Sequence, residues 1–203
     1  MQRLPNPWCA GHICCTLPTP LPHKASRLPG RPRRTLRKQK YGEPDLETCL
    51  RGLMDAGIVT DESCVVVDCR EFYDAQNSSH LRGHIGLRPA VLKSVVDHPA
   101  FPQWFATLHR HLMSRVEQRH SPTFGISIIF FCRSGKHRSV ACRRIVEHIM
   151  HNDSRFHLTR VHDCTDWGKH ACGACRECRA DPSGVRLRAL QRAAALWWRY
   201  TAL

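Results

Sequence analysis

The chain has 203 residues, 42% of them hydrophobic and 24% charged, with a formal net charge of +14. That length accommodates one ordinary domain with tails, and that balance excludes wholesale disorder and a membrane-embedded protein. The charge favours a polyanionic partner, whether RNA, DNA, anionic lipid or a phosphorylated metabolite, without choosing among them.

No stretch is long and apolar enough to span a bilayer. Prolines interrupt the opening MQRLPNPWCAGHICCTLPTP before a secretory core could form, so an intracellular chain is expected, cytoplasmic or nuclear. Twelve cysteines without an export signal fit a reducing compartment, where thiols serve as core residues, metal ligands or reactive groups.

In chain order, Met1 to Tyr41 contains no Asp or Glu, and its basic residues condense into RPRRTLRKQK between Arg31 and Lys40. This predicts a disordered, proline-rich basic arm over residues 1–38. Such an arm contacts nucleic acid, addresses the chain to the nucleus or an organelle, or is merely a solvated tail. TLRKQKYG is read as a first strand entering the domain. Leu46, Cys49, Leu50 and Leu53 share a helical face that Gly57 stops. SCVVVDCR, Ser63 to Arg70, has the β-branched run of a buried strand, and the polar, glycine-punctuated YDAQNSSHLRGHIG after it is a long loop.

A helical middle follows, with Pro99 and Pro102 near the start of AFPQWFATLHRHLMSRVEQ. Trp104, Phe105, Leu108 and Leu112 line one side, and the histidines from 109 to 120 are read as a solvated face. GISIIFFC, Gly125 to Cys132, is continuously apolar and predicts a central strand covered on both faces. Then come the loop RSGKHR, a helix carrying Val140, Ile145 and Ile149, a last strand in HLTRVHD, the cysteine-rich HACGACRECR, and a terminal helix. The alternation predicts an α/β fold: a single small, mostly parallel sheet flanked by helices over residues 39–165. Residues 166–203 form a Cys-rich C-terminal extension ending in that helix.

The loop between the central strand and its helix carries the chemistry. Gly135 relaxes the turn, and the first amides of a helix starting at about Arg138 or Ser139 have no internal partners, which makes an anion site. Lys136, His137 and Arg138 add charge and donors, and Arg133 and Ser134 precede them in the same turn. Ser134 and Ser139 add hydroxyls, and Ser139 is also a candidate helix cap. Three adjacent cationic or potentially cationic residues repel one another unless an anion balances them. The bland reading is a basic strand-to-helix turn over a structural Cys132. A nucleotide-binding Walker loop is excluded because His137 follows Gly135-Lys136 where Ser or Thr is required.

The spacing of Cys132, Gly135, Arg138 and Ser139 resembles the signature loop of cysteine-dependent protein phosphatases. That resemblance implies Cys132 as nucleophile, Arg138 as phosphate clamp and Asp97 as leaving-group acid, although Phe131 stands where that family usually has His.

A longer resemblance runs from Val66 to Met150. Asp68-Cys69-Arg70 at a strand end, Leu81-Arg82, Gly86-Leu87, and Cys132 with Gly135, His137, Arg138, Ser139 and Val140 occur in the order of one known pattern. Upstream, Lys40-Tyr41-Gly42 repeats a tripeptide of the same pattern. It is similar to the C-terminal domain of RapZ, the bacterial RNase adapter protein. The resemblance implies a non-catalytic sensor or adapter that binds a phosphate-bearing ligand, a phosphosugar or nucleotide, and takes part in RNA binding and homo-oligomerisation. The loop residues from Arg133 to Ser139 are then the phosphate ligands, with His137 and Arg138 matching most directly. Arg133, Ser134 and Gln76 replace the family's Thr, Gly and His. Asp68, Arg70 and Gln76 line the pocket under this reading. The alternative for Asp68 and Arg70 is a salt bridge that shapes the loop.

His162, Cys164, His170, Cys172, Cys175 and Cys178 fall within 17 residues. Cys164, Cys172, Cys175 and Cys178 make a candidate zinc set, the alternative being unligated thiols. The terminal helix sets Leu187, Leu190, Ala194, Trp197 and Trp198 among arginines, as expected for packing on the domain or a partner subunit, or for lying on a membrane surface.

Overall fold

The computed structural model describes residues 11–16, 64–118, 125–133, 135–162, 171–172 and 175–202. The strand expected in TLRKQKYG and the helix expected between Asp45 and Gly57 lie outside these residues.

Among the described residues, four strands form one sheet in the order β2-β3-β1-β4: β1 (Gly11–Thr16), β2 (Cys64–Asp68), β3 (Gly125–Phe131) and β4 (His157–His162). β2 and β3 pair in parallel, whereas β1 is antiparallel to both β3 and β4. The α/β class is as expected, and the sheet is mixed rather than built of parallel pairs: β2, β3 and β4 share a direction and β1 runs against them. The difference comes from the arm, read as disordered throughout. Its Gly11–Thr16 segment enters the sheet between β3 and β4. HICCT carries the β-branched residues such a strand uses, but the prolines on either side of it, Pro5, Pro7, Pro18 and Pro20, mask that local signal.

The central position of β3 follows from its composition. Ile126, Ile128 and Phe130 join Val65 and Val67 of β2 in the main core, and the opposite-face Ser127 and Ile129 are buried as well. The register, Val65 against Ile128 and Val67 against Phe130, keeps each apolar pair on one face.

The helices are α1 (Pro89–Val96), α2 (Phe101–Glu117), α3 (Arg138–Asn152), the short α4 (Arg176–Arg179) and α5 (Val185–Thr201). Pro89 and Pro102 sit in the first turns of α1 and α2, where a missing amide hydrogen costs nothing. α3 packs on β1, β3 and β4 and on α1, while α5 packs on α1, α2 and α3. Ala189, Leu190, Ala193 and Trp197 of α5 join the same core as β3. The segment set apart after residue 165 therefore closes the domain. Two details differ from expectation. His109 faces inward, its ring 4.5 Å from that of Trp197 and its Nε2 3.1 Å from Thr201 Oγ1, so the α2 histidines are not all solvated. Ser139 lies inside α3, whose cap is His137, and makes no capping bond.

Candidate functional site

β2 and β3 run in parallel and end side by side, with Asp68 opposite Phe131 and Cys69 N donating to Phe131 O at 2.9 Å. The two chain segments that leave the sheet there, 69–88 and 132–138, are thereby brought into one crevice, where parallel α/β sheets collect ligands.

The second segment turns at Gly135, whose φ of 66° is left-handed and suited to glycine. α3 then begins at Arg138, as the sequence suggests. Ala141 N is bonded to His137 O at 2.9 Å, so the amides of Arg138, Ser139 and Val140 precede the first intrahelical bond. Cys132 is buried beneath this turn with its Sγ 3.1 Å from Ser139 Oγ. Cys69 and Cys142 lie near it, and burial pushes the Cys69 thiol well above its ordinary range.

Lys136 and Arg138 both meet protein partners. Lys136 Nζ donates to Arg82 O at 2.8 Å. Arg138 donates through one terminal nitrogen to Arg70 O (3.0 Å) and Phe72 O (3.2 Å), and through the other to Asp74 Oδ2 (2.8 Å). Burial, then the charge of Lys136, pushes His137 down to about 4, so its ring is neutral at neutral pH. The repulsion expected among three adjacent cations is thus relieved within the protein, and charge balance alone does not call for an anion.

A different signal remains. Gln76 Oε1, both ring nitrogens of His137 and Arg138 Nε are buried and make no hydrogen bond among the described residues. The carbonyls of Leu81 and His84 face the His137 ring, but neither nitrogen has a bond of ordinary geometry. Buried polar atoms without partners are uncommon because each costs roughly 1–3 kcal/mol. Here three residues nominated from sequence carry them, and all three surround Asp74. That carboxylate accepts from Gln76 N (3.0 Å) and Arg138, and it lies 3.9 Å from His137 Nδ1. Sequence reading missed Asp74, whose only local sign is its place before AQN as an Asx-type turn residue.

The other nominees are distributed as follows. Asp68 and Arg70 form a bidentate ion pair with Nε and a terminal nitrogen 2.7–3.0 Å from the carboxylate, which matches the salt-bridge reading. Arg133 is exposed, and Ser134 and Cys164 lie outside the described residues. Asp97 ends α1 and pairs with Lys93 and with Arg192 of α5, neither of them a loop residue. Lys93's hydrogen bond in particular holds the Asp97 carboxyl below its usual range, the opposite of what a general acid requires.

The polar loop closes on this crevice by a tight approach. Gly86 N donates to Lys136 O at 2.7 Å, and a Cβ on Gly86 would overlap His137 O and lie 2.5 Å from Ala141 N. Just before it, His84 meets Cys172, Cys175 and Cys178 in a compact cluster.

A family model described as the RapZ C-terminal domain matches residues 54–164, which include β2, β3, α3 and the crevice between them. No curated protein and no solved structure matches the chain.

Proposed function

Because the chain belongs to the RapZ C-terminal domain family, we propose that the crevice between residues 69–88 and 132–139 binds a phosphate-bearing small molecule, a phosphosugar or nucleotide, in a sensor or adapter role. The observation that carries this reading is the group of orphaned buried polar atoms on Gln76, His137 and Arg138 around one carboxylate. Arg138 keeps its terminal nitrogens on Asp74 and two carbonyls, leaving Nε–H as a donor for a ligand oxygen. The neutral imidazole of His137 supplies one further N–H, and the first amides of α3 supply a directional positive potential. Gln76 Oε1 is an acceptor, suited to a hydroxyl or amino group of the ligand body.

A thermal-shift panel tests this reading with inorganic phosphate, an amino-sugar phosphate, its unphosphorylated sugar and nucleoside triphosphates. Phosphorylated compounds are expected to raise Tm while the free sugar does not, since a ligand that binds only the native state stabilises it. His137→Gln is expected to abolish the shift. No shift with any phosphorylated compound at millimolar concentration sinks the proposal.

The cysteine phosphatase reading has one specific observation behind it, the contact of Cys132 Sγ with Ser139 Oγ, while its acid candidate Asp97 is paired with Lys93 and Arg192. Turnover of an aryl phosphate that disappears in Cys132→Ser would establish it over the sensor role. RNA binding, if it accompanies that role, is assigned to the acid-free basic segment before Tyr41. Its affinity should then fall steeply with salt and survive Arg138→Ala.

A further inference from the structure

We propose that His84, Cys172, Cys175 and Cys178 bind one zinc ion in a closed, structural site that fastens the polar loop to the C-terminal segment. This assignment stands apart from the proposed phosphate ligand and does not rest on it. The four ligand atoms lie within 4.8 Å of one another, although His84 stands 88 residues before Cys172.

Two nitrogen–sulfur spacings match a tetrahedral site, and one sulfur–sulfur spacing lies a few tenths of an ångström inside it. With Zn–S near 2.3 Å and Zn–N near 2.0–2.1 Å, tetrahedral angles place nitrogen about 3.5–3.6 Å from sulfur and sulfurs about 3.7–3.8 Å apart. His84 Nδ1 is 3.5 Å from Cys175 Sγ and 3.6 Å from Cys178 Sγ, and Cys172 Sγ is 3.4 Å from Cys178 Sγ. Three thiolates and one imidazole are a soft set that suits Zn²⁺, and four protein ligands leave no position for substrate, which makes the site structural.

The surroundings hold the ligands in place. Cys172 N donates to Gly83 O at 2.9 Å, joining the two chain segments next to the cluster. Cys175 caps α4, whose single turn brings Cys178 back beside it. On the far edge of the His84 ring, Nε2 lies 3.2 Å from Arg88 Nη1 and 3.5 Å from Glu177 Oε2, and that carboxylate is itself paired with Arg88. A carboxylate on the distal nitrogen of a ligating histidine is the usual device for fixing its tautomer and orientation.

Cys164, nominated from sequence spacing, gives way to His84 in this assignment. The substitution explains how two consecutive two-residue gaps fit one ion: Cys172, Cys175 and Cys178 supply one side, and the polar loop supplies the fourth ligand from outside. It also gives the ion a role in the fold. His84 is two residues from Gly86, which packs on the start of α3, so metal binding would hold the polar loop against the Cys132–Ser139 turn.

Metal analysis of the full chain, purified under reducing conditions without chelator, tests the assignment. About one equivalent of zinc per chain is expected, together with a lowered Tm after chelation that zinc restores. Cobalt(II) in its place should give the intense visible bands of tetrahedral thiolate coordination. His84→Ala and Cys175→Ser should each lose the metal, whereas Cys164→Ser and Cys64→Ser should retain it. Less than about a tenth of an equivalent in the wild-type chain, both as purified and after zinc addition, would overturn the site. Loss of zinc in Cys164→Ser with retention in His84→Ala would overturn the ligand set. Since the first of these readouts uses the wild-type protein, a variant that fails to fold leaves the proposal open to refutation.

Discussion

Arg138 sets its guanidinium on the carboxylate of Asp74 at 2.8 Å, across 64 residues of sequence, with both side chains largely withdrawn from water. The pair ties the first residue of α3 to the beginning of the polar loop. Asp74→Ala would strand a buried guanidinium and also release Gln76 N. Removing one member of a buried pair costs roughly 3–5 kcal/mol, and the partial exposure of Asp74 places the expected loss near the lower end, about 3 kcal/mol. Asp74→Asn should lose less, because its amide oxygen still accepts from Gln76 N. Urea unfolding of the two variants beside wild type measures the difference. Equal and negligible effects would mean that the pair does not hold the loop.

Two glycines in the polar loop should respond oppositely to the same change. At Gly86 a methyl group would meet His137 O, Ala141 N and Val140 Cβ, all parts of a packed helix start, whereas at Gly83 it would meet nothing within 4 Å. Gly86→Ala should therefore destabilise by roughly 1–3 kcal/mol through overpacking. Gly83→Ala should be neutral or stabilising by up to about 1 kcal/mol through a stiffer unfolded chain. Thermal denaturation of the two single variants checks the contrast.

These residues also show where sequence reasoning stops. β3, the turn at Gly135 and α3 were legible because each is written in one continuous stretch: an apolar run, a glycine, and apolar residues at helical spacing. Gln76, His137 and Arg138 could be nominated for the same reason, through motifs confined to short segments. Asp74, His84 and the inward ring of His109 were not legible. Their partners stand 64, 91 and 92 residues away, and only the folded chain brings them together. The Gly11–Thr16 strand was missed for a related reason, since β pairing is set by cross-strand neighbours more than by intrinsic preference.

Asp153 predicts part of the acid sensitivity. Burial opposes its ionisation, but hydrogen bonds from Arg155 and Trp197 outweigh that and hold the carboxyl below its ordinary range. A carboxyl depressed on folding contributes stability that is complete above its unfolded value of about 3.9 and is lost as pH falls through the folded value. The unfolding free energy of wild type should thus drop between about pH 5 and pH 2, and Asp153→Asn should show a shallower drop over that window. Urea titrations at a series of pH values compare the slopes. Parallel curves would show that Asp153 titrates alike in both states.

The last helix should be indispensable, even though the family match ends at residue 164. Trp197 is fully buried, with rings of Phe105 at 5.6 Å, His109 at 4.5 Å and Phe156 at 6.3 Å, and its Nε1 donates to Asp153 Oδ2 at 2.9 Å. Trp197→Ala removes that volume and the donor together and should cost about 3–5 kcal/mol. Trp197→Phe keeps most of the apolar surface but leaves the buried carboxylate one donor short, for a cost of roughly 1–3 kcal/mol. A chain ending before Val185 should lose cooperative unfolding, because Ala189, Leu190 and Ala193 leave the core with the tryptophan. Circular dichroism melts of the three variants provide the measurement. A truncated chain that still melted in one sharp transition near the wild-type Tm would show that residues 64–162 complete a core without α5.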